Sequence, residues 1–119
     1  MNSVRFTWKT VLAYLLAAFF LVGAVGNILA LGQIADDYAR WGYPDWFHYL
    51  TGTLELITSI LLLRMRTRLW GALLGAAVMA AAAGTVLMHG EFTHAIAPAA
   101  VLAICLLVAR SGGVLRPAM

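Results

Sequence analysis

Between Lys9 and Asp36 the chain runs for 26 residues without a formal charge, and this stretch limits what the sequence can become. A helix crossing the hydrocarbon of a bilayer needs about 20 apolar residues, within a range of roughly 17–25. Four segments meet that need, at about 10–32, 46–63, 69–88 and 92–109. The second is interrupted only by Glu55, the third carries no charge, and in the fourth only His94 titrates. Lipid offers the backbone no hydrogen bonds, so these segments are predicted as helices, not open strands. Composition agrees: 63% of the 119 residues are apolar and 11% charged, against about 25% charged in a soluble domain. That balance excludes a soluble domain, a disordered tail and a disulfide-stapled module. The expectation is a single integral membrane domain over 1–119, an all-α, four-transmembrane-helix, up-down-up-down bundle.

The basic residues give the orientation. Arg5 and Lys9 precede the first segment, Arg64, Arg66 and Arg68 link the second to the third, and Arg110 and Arg116 follow the fourth. Those seven lie on one side, with Arg40 alone on the other. Cytoplasmic loops collect Lys and Arg, so both termini are expected in the cytoplasm and the protein in a cytoplasmic (inner) membrane. Trp41, Tyr43, Trp46 and Tyr49 read as an outer interfacial belt, Trp8 and Trp70 as the inner one. The net charge of +3 is therefore a topology signal, not a nucleic-acid footprint. Ala30-Leu31-Gly32 could pass for a signal cleavage site, but the apolar run before it exceeds the roughly 7–15 residues of a leader. A retained helix is expected.

Glu55 is the most informative residue. It lies nine positions beyond Trp46, or roughly 13–14 Å along a helix rising 1.5 Å per residue. An acid near the bilayer centre is costly and turns toward the bundle interior or a wet cavity. Withdrawal from water favours its neutral form unless a cation lies near. His48, Thr51, Gly52, Thr58 and Ser59 share its helix face. Asn27, four residues after Gly23, and Thr85 fall at similar depth on other helices. The expected site is a polar pocket open to the outer face, with Glu55, Asn27, His48, Thr51, Gly52 and Thr85 as candidate ligand-binding residues. The competing reading is a buried acid that fixes helix register.

Other motifs are weaker. His89, Glu91 and His94 are spaced to supply metal ligands, with His48 at the same membrane face, but they lack the tighter grammar of zinc sites, so no metal is expected. Cys105 is a lone thiol, read as a packed small hydrophobe, and it excludes dithiol chemistry by this chain alone. Ala72, Ala76, Ala80 and Gly84, beside Gly71 and Gly75, form a small-residue stripe. Such stripes allow close helix packing, within the chain or in a homo-oligomer. No nucleophile–base pair, phosphate loop or dinucleotide fingerprint is present, so a stand-alone enzyme is the weakest reading.

Three stretches resemble the DoxX-like family. They are FFLVGAVGNILALGQ at 19–33, GYPDWFHYLTGTLELITSILLL at 42–63 and MAAAAGTVLMHGE at 79–91. The second is the most specific: Gly42 and Pro44 form a Gly-x-Pro turn, and Gly52 stands three positions before Glu55. The resemblance implies a small four-helix membrane protein. It also implies links to quinone-dependent sulfur oxidation, to thiol-redox partners, or to the assembly of other membrane proteins. The chain departs from the family where Asn27 stands in place of a common basic residue, and in its single cysteine. The function expected is an accessory subunit of a quinone- or thiol-linked membrane redox system, with quinone as the candidate cofactor. The alternatives are a small proton-coupled transporter and an assembly protein without a small-molecule site. The seven-to-one charge bias argues against the dual-orientation dimers of small multidrug exporters.

Overall fold

The computed structural model describes residues 7–115, with side chains through Ser111. The order is α1 (Trp8–Leu29), α2 (Ile34–Arg40), α3 (Phe47–Leu63), α4 (Arg68–Met88), a single 3₁₀ turn (Phe92–Ala95) and α5 (Ile96–Leu115). No strand occurs among the described residues. Arg5 and Arg116, two of the seven basic residues that set the expected orientation, lie outside the described residues.

The helix boundaries differ from the sequence expectation for local reasons. The first helix does not reach Gly32. Ala30 turns into the left-handed region (φ 51°), its N–H bonds to Asn27 O, and Leu31 N–H reaches back to Gly26 O at 2.9 Å. This six-to-one closure satisfies the last carbonyls and ends α1 at Leu29. The link expected to follow it contains a helix of its own. In α2, Asp36 and Asp37 occupy the first turn and Arg40 the last, complementing the helix dipole. Seven residues without an apolar run carry no hydrophobic period, so α2 escapes a reading based on hydropathy. The fourth segment begins as the 3₁₀ turn and becomes α-helical at Ile96. Pro98 then falls in the first turn, where a missing N–H breaks no helical bond.

α1 packs on α3, α3 on α4 and α4 on α5, with lighter contact between α5 and α1. The α1–α3 pair is antiparallel: Ser59 Oγ donates to Ala17 O, Gly52 lies against Ala24 and Ile28, and His48 reaches Asn27. Toward the chain termini the interior is dry. Ala13, Leu16, Phe20, Leu62, Ala72, Ala76, Cys105 and Val108 are buried there together. Glycine makes this packing close. A Cβ on Gly71 would come within 2.8 Å of Leu62 N, and one on Gly75 within 2.9 Å of the Phe20 ring. The inner part of the small-residue stripe (Gly71, Ala72, Gly75 and Ala76) thus packs within the chain. Ala80 is exposed, and nothing lies within 4 Å of a Cβ on Gly84.

Much of the exterior is apolar. Val22, Leu15, Ile60 and Leu106 are each at least half exposed. Contiguous apolar exterior on this scale marks a surface that faces something other than water. Trp8–Leu29, Arg68–Met88 and Phe92–Ser111 have the length and composition to cross a membrane. α3 is a shorter apolar helix of 17 residues, about 25 Å long. The chain is therefore a helical membrane protein by three long helices, where the sequence expects four.

Candidate functional site

Glu55 stands midway along α3 and is buried, 4% exposed. Two glycines admit it. A Cβ on Gly52 would meet Ala24 O at 3.0 Å, so glycine there lets α1 and α3 approach closely. A Cβ on Gly23 would lie 2.6 Å from Glu55 Oε2, so glycine there leaves room for the carboxyl. Asn27 Nδ2 then donates to Glu55 Oε1 at 2.7 Å and to Gly23 O at 3.1 Å. Tyr38 of α2 donates its hydroxyl to Asn27 Oδ1 at 2.9 Å. Burial pushes the Tyr38 phenol above its ordinary value, so it stays protonated and able to donate. His48 donates from Nδ1 to Asn27 O at 2.7 Å. The Asn27 side chain thus joins three helices through one amide.

Beside this group lies a cavity of about 660 Å³. Glu55, Asn27, Thr51 and Thr85 supply polar wall, and Tyr38, Trp41, Tyr43 and Phe47 gather around its end nearest α2. The rings pack on one another: Tyr43 stacks on Phe47 at 4.3 Å, and Tyr38 meets both edge-on at 5.8 Å. Tyr43 and Thr85 share a hydrogen bond of 2.6 Å between their hydroxyls. Met79 forms wall and also belongs to the dry core, so it marks where cavity gives way to packing.

Glu91 ties the α2 end together. Arg40 donates to it from Nε and Nη2, at 3.1 and 3.0 Å, and from Nη1 to Asp37 at 2.7 Å. Trp41 Nε1 adds a bond of 3.2 Å, and His94 one of 3.2 Å. The guanidinium first, then His94 and Trp41, hold the Glu91 carboxyl down to about 2. The bonds to Glu91 first, then to Asp37, raise the Arg40 pKa further above its ordinary value.

Of the six sequence candidates, Glu55, Asn27, Thr51 and Thr85 line the large cavity. His48 lines a smaller neighbouring one, and Gly52 packs on α1. Thr58 and Ser59 spend their hydroxyls on Leu54 O and Ala17 O. His89, Glu91 and His94 do not converge: His89 turns back to Thr85 O while His94 meets Glu91. Among the described residues no three His, Cys, Asp or Glu side chains could hold a metal ion. The interfacial belt needs correction. Trp46 and Tyr49 are exposed, but Trp41 and Tyr43 turn inward to Glu91 and Thr85. Tyr38 was missed. The spacing of Asp37 and Arg40, one helical turn apart, was the available sign of the helix that carries it.

Helices apolar on both faces, around a cavity with one buried acid that reaches the exterior at Phe19, Leu50 and Ala97, define a helical membrane protein. The chain belongs to the DoxX-like family, whose sequence model matches residues 11–108. No curated protein and no solved structure matches it.

Proposed function

We propose that this DoxX-like protein crosses the inner membrane four times, with both termini cytoplasmic, as an accessory subunit of a quinone- or thiol-linked redox system. In this reading the Glu55 cavity opens toward the outer face and receives a quinone. The carrying observation is a cavity of about 660 Å³ walled by aromatic and aliphatic groups, with the Glu55–Asn27 pair as its buried polar contact. That volume falls within the roughly 300–1,000 Å³ of small-molecule sites, which join apolar walls to a few placed polar groups. α3 counts as the fourth span because it packs between α1 and α4, and 17 residues sit at the lower limit for crossing. The orientation rests on the basic residues. Cys105 is buried and single, so any thiol pair belongs to the partner. Ala80 and Gly84 offer the small-residue face on which a partner or second copy would pack.

The test is binding of a naphthoquinone to the purified protein, followed by quenching of tryptophan fluorescence. Glu55→Gln is expected to weaken it about tenfold, or ~1.4 kcal/mol. Unchanged affinity, or no binding to the parent protein, rejects the reading. A different observation favours a second one: among the described residues, Glu55 forms no ion pair with a base. An intramembrane acid without a basic partner suits proton-coupled transport. Proteoliposomes under a pH gradient that accumulate no substrate would reject it.

A further inference from the structure

We propose that α2 is a hinged lid over the aqueous mouth of the Glu55 cavity, latched by Arg40 on Glu91. The proposal rests on the reading of that cavity as a ligand site. α2 contributes Ile34, Asp37 and Tyr38 to the cavity wall and the residue after it, Trp41, adds to that wall, yet no residue of α2 is buried. Its two ends are joints. Gly32 before it (φ 59°) and Gly42 after it (φ 88°) both sit in the left-handed region, with nothing within 4 Å of an added Cβ. Glycine leaves the left-handed region at little steric cost; the turn at Gly42 is also closed by bonds from Gly42 N–H to Ala39 O and Tyr43 N–H to Tyr38 O, so Gly32 is the freer joint.

The lid's polar attachments are few. Arg40 grips both oxygens of Glu91, Trp41 adds one bond to the same carboxylate, and Tyr38 donates to Asn27. Glu91 stands across the mouth, on the link between α4 and α5, directly after Gly90 (φ 73°). The latch therefore joins opposite rims. The remaining wall includes Phe19, Leu50, Ala81 and Ala97, which are exposed on the apolar exterior. An apolar ligand reaches the cavity sideways past these residues. Water, and any polar reagent or partner segment, enters at the polar rim, where α2 faces Thr93 and His94.

The hydrogen bonds couple lid to ligand. One face of the Asn27 amide tethers Tyr38 and the other holds Glu55. A ligand that donates to Asn27 Oδ1, or whose carbonyl accepts the Tyr38 hydroxyl in its place, competes with the tether at the middle of α2, leaving the latch to hold the lid closed. Occupancy thus loosens the Tyr38 tether, and release of Arg40 removes two of the lid's three bonds to Glu91, leaving that of Trp41.

Reactivity of a cysteine placed inside the cavity tests this in the full chain in vesicles. Ala82→Cys sits on the cavity wall, and native Cys105, fully buried in the dry core, reports any general unfolding. The probe is a charged, membrane-impermeant maleimide, read by peptide mass at both positions. Arg40→Gln and Glu91→Gln are each expected to speed modification at 82 by about three- to tenfold, with Cys105 still unreacted. Equal rates in the parent and the latch variants overturn the lid, as does a rise at 82 and Cys105 together. Naphthoquinone binding is measured separately. Faster modification without quinone binding keeps the lid and removes the ligand, and quinone binding with equal rates does the reverse.

Discussion

The two ends of the helix bundle solve opposite problems with the same helices. Toward the termini, Gly71 and Gly75 draw α4 against Leu62, Phe20 and Cys105, and the interior is dry. Toward α2, the helices enclose a cavity, and hydroxyl, amide and carboxyl groups bond across it. In lipid no hydrophobic force drives helices together, so the end near the termini holds chiefly by van der Waals contact at close approach, to which Arg68 Nε on Leu62 O and Ser59 Oγ on Ala17 O add two buried bonds. The α2 end holds by directional bonds, which can be exchanged for bonds to a ligand. Stability should therefore reside at one end and binding at the other.

The substitution expected to strain this contrast most is Gly71→Ala. The added methyl would meet backbone, Leu62 N at 2.8 Å, which cannot swing aside. A loss of about 1–3 kcal/mol is expected for such overpacking, read as a lower melting temperature in detergent with quinone affinity unchanged in the folded fraction. A neutral outcome would break the assignment of stability to the dry end. Thr85→Val tests the other end. It removes the bond to Tyr43 for about 0.5–1.5 kcal/mol, and naphthoquinone titration should show weaker binding even where melting hardly moves. Ser59→Ala lies between them: it removes the bond to Ala17 O, for about 0.6 kcal/mol by the average for such bonds in membranes. Its melting temperature should fall slightly and its ligand affinity should hold.

The smallest effect concerns pH. Arg40, with His94 and Trp41, lowers the Glu91 pKa from 4.5 to about 2, and Asp37 shares the same guanidinium. A group held below its unfolded value stabilises the fold fully above the unfolded value. The contribution of Glu91 is thus complete above pH 4.5 and is lost as pH falls to about 2. Glu91→Gln should melt at a lower temperature than the parent at neutral pH, and the gap should close across that window. A constant gap would show that the Arg40 contact does not depend on the Glu91 charge.

The apolar segments were legible because periodicity and charge exclusion act locally. The length of the first and the absence of charge in the third come through as α1 and α4. Glu55 was legible because an isolated acid in such a run must find a partner, and its pairing with Asn27 follows the four-residue spacing of Gly23 and Asn27. The aromatic residues were not. Trp41, Trp46, Tyr43 and Tyr49 have the same composition signal, yet Trp41 and Tyr43 point inward while Trp46 and Tyr49 are exposed. A ring beside a polar head group and a ring beside Glu91 or Thr85 satisfy the same amphipathic preference.

Charge-free length alone made this chain a set of apolar helices, because a backbone in lipid has no other way to satisfy its hydrogen bonds. The placement of an acid within α3 was equally a property of the sequence. Tertiary structure alone decided that α2 folds back over the cavity, that Arg40 finds Glu91 51 residues away, and that Tyr38 finds Asn27. Those contacts join residues far apart in the chain, and their geometry depends on how α1, α3, α4 and α5 pack, which no local pattern encodes.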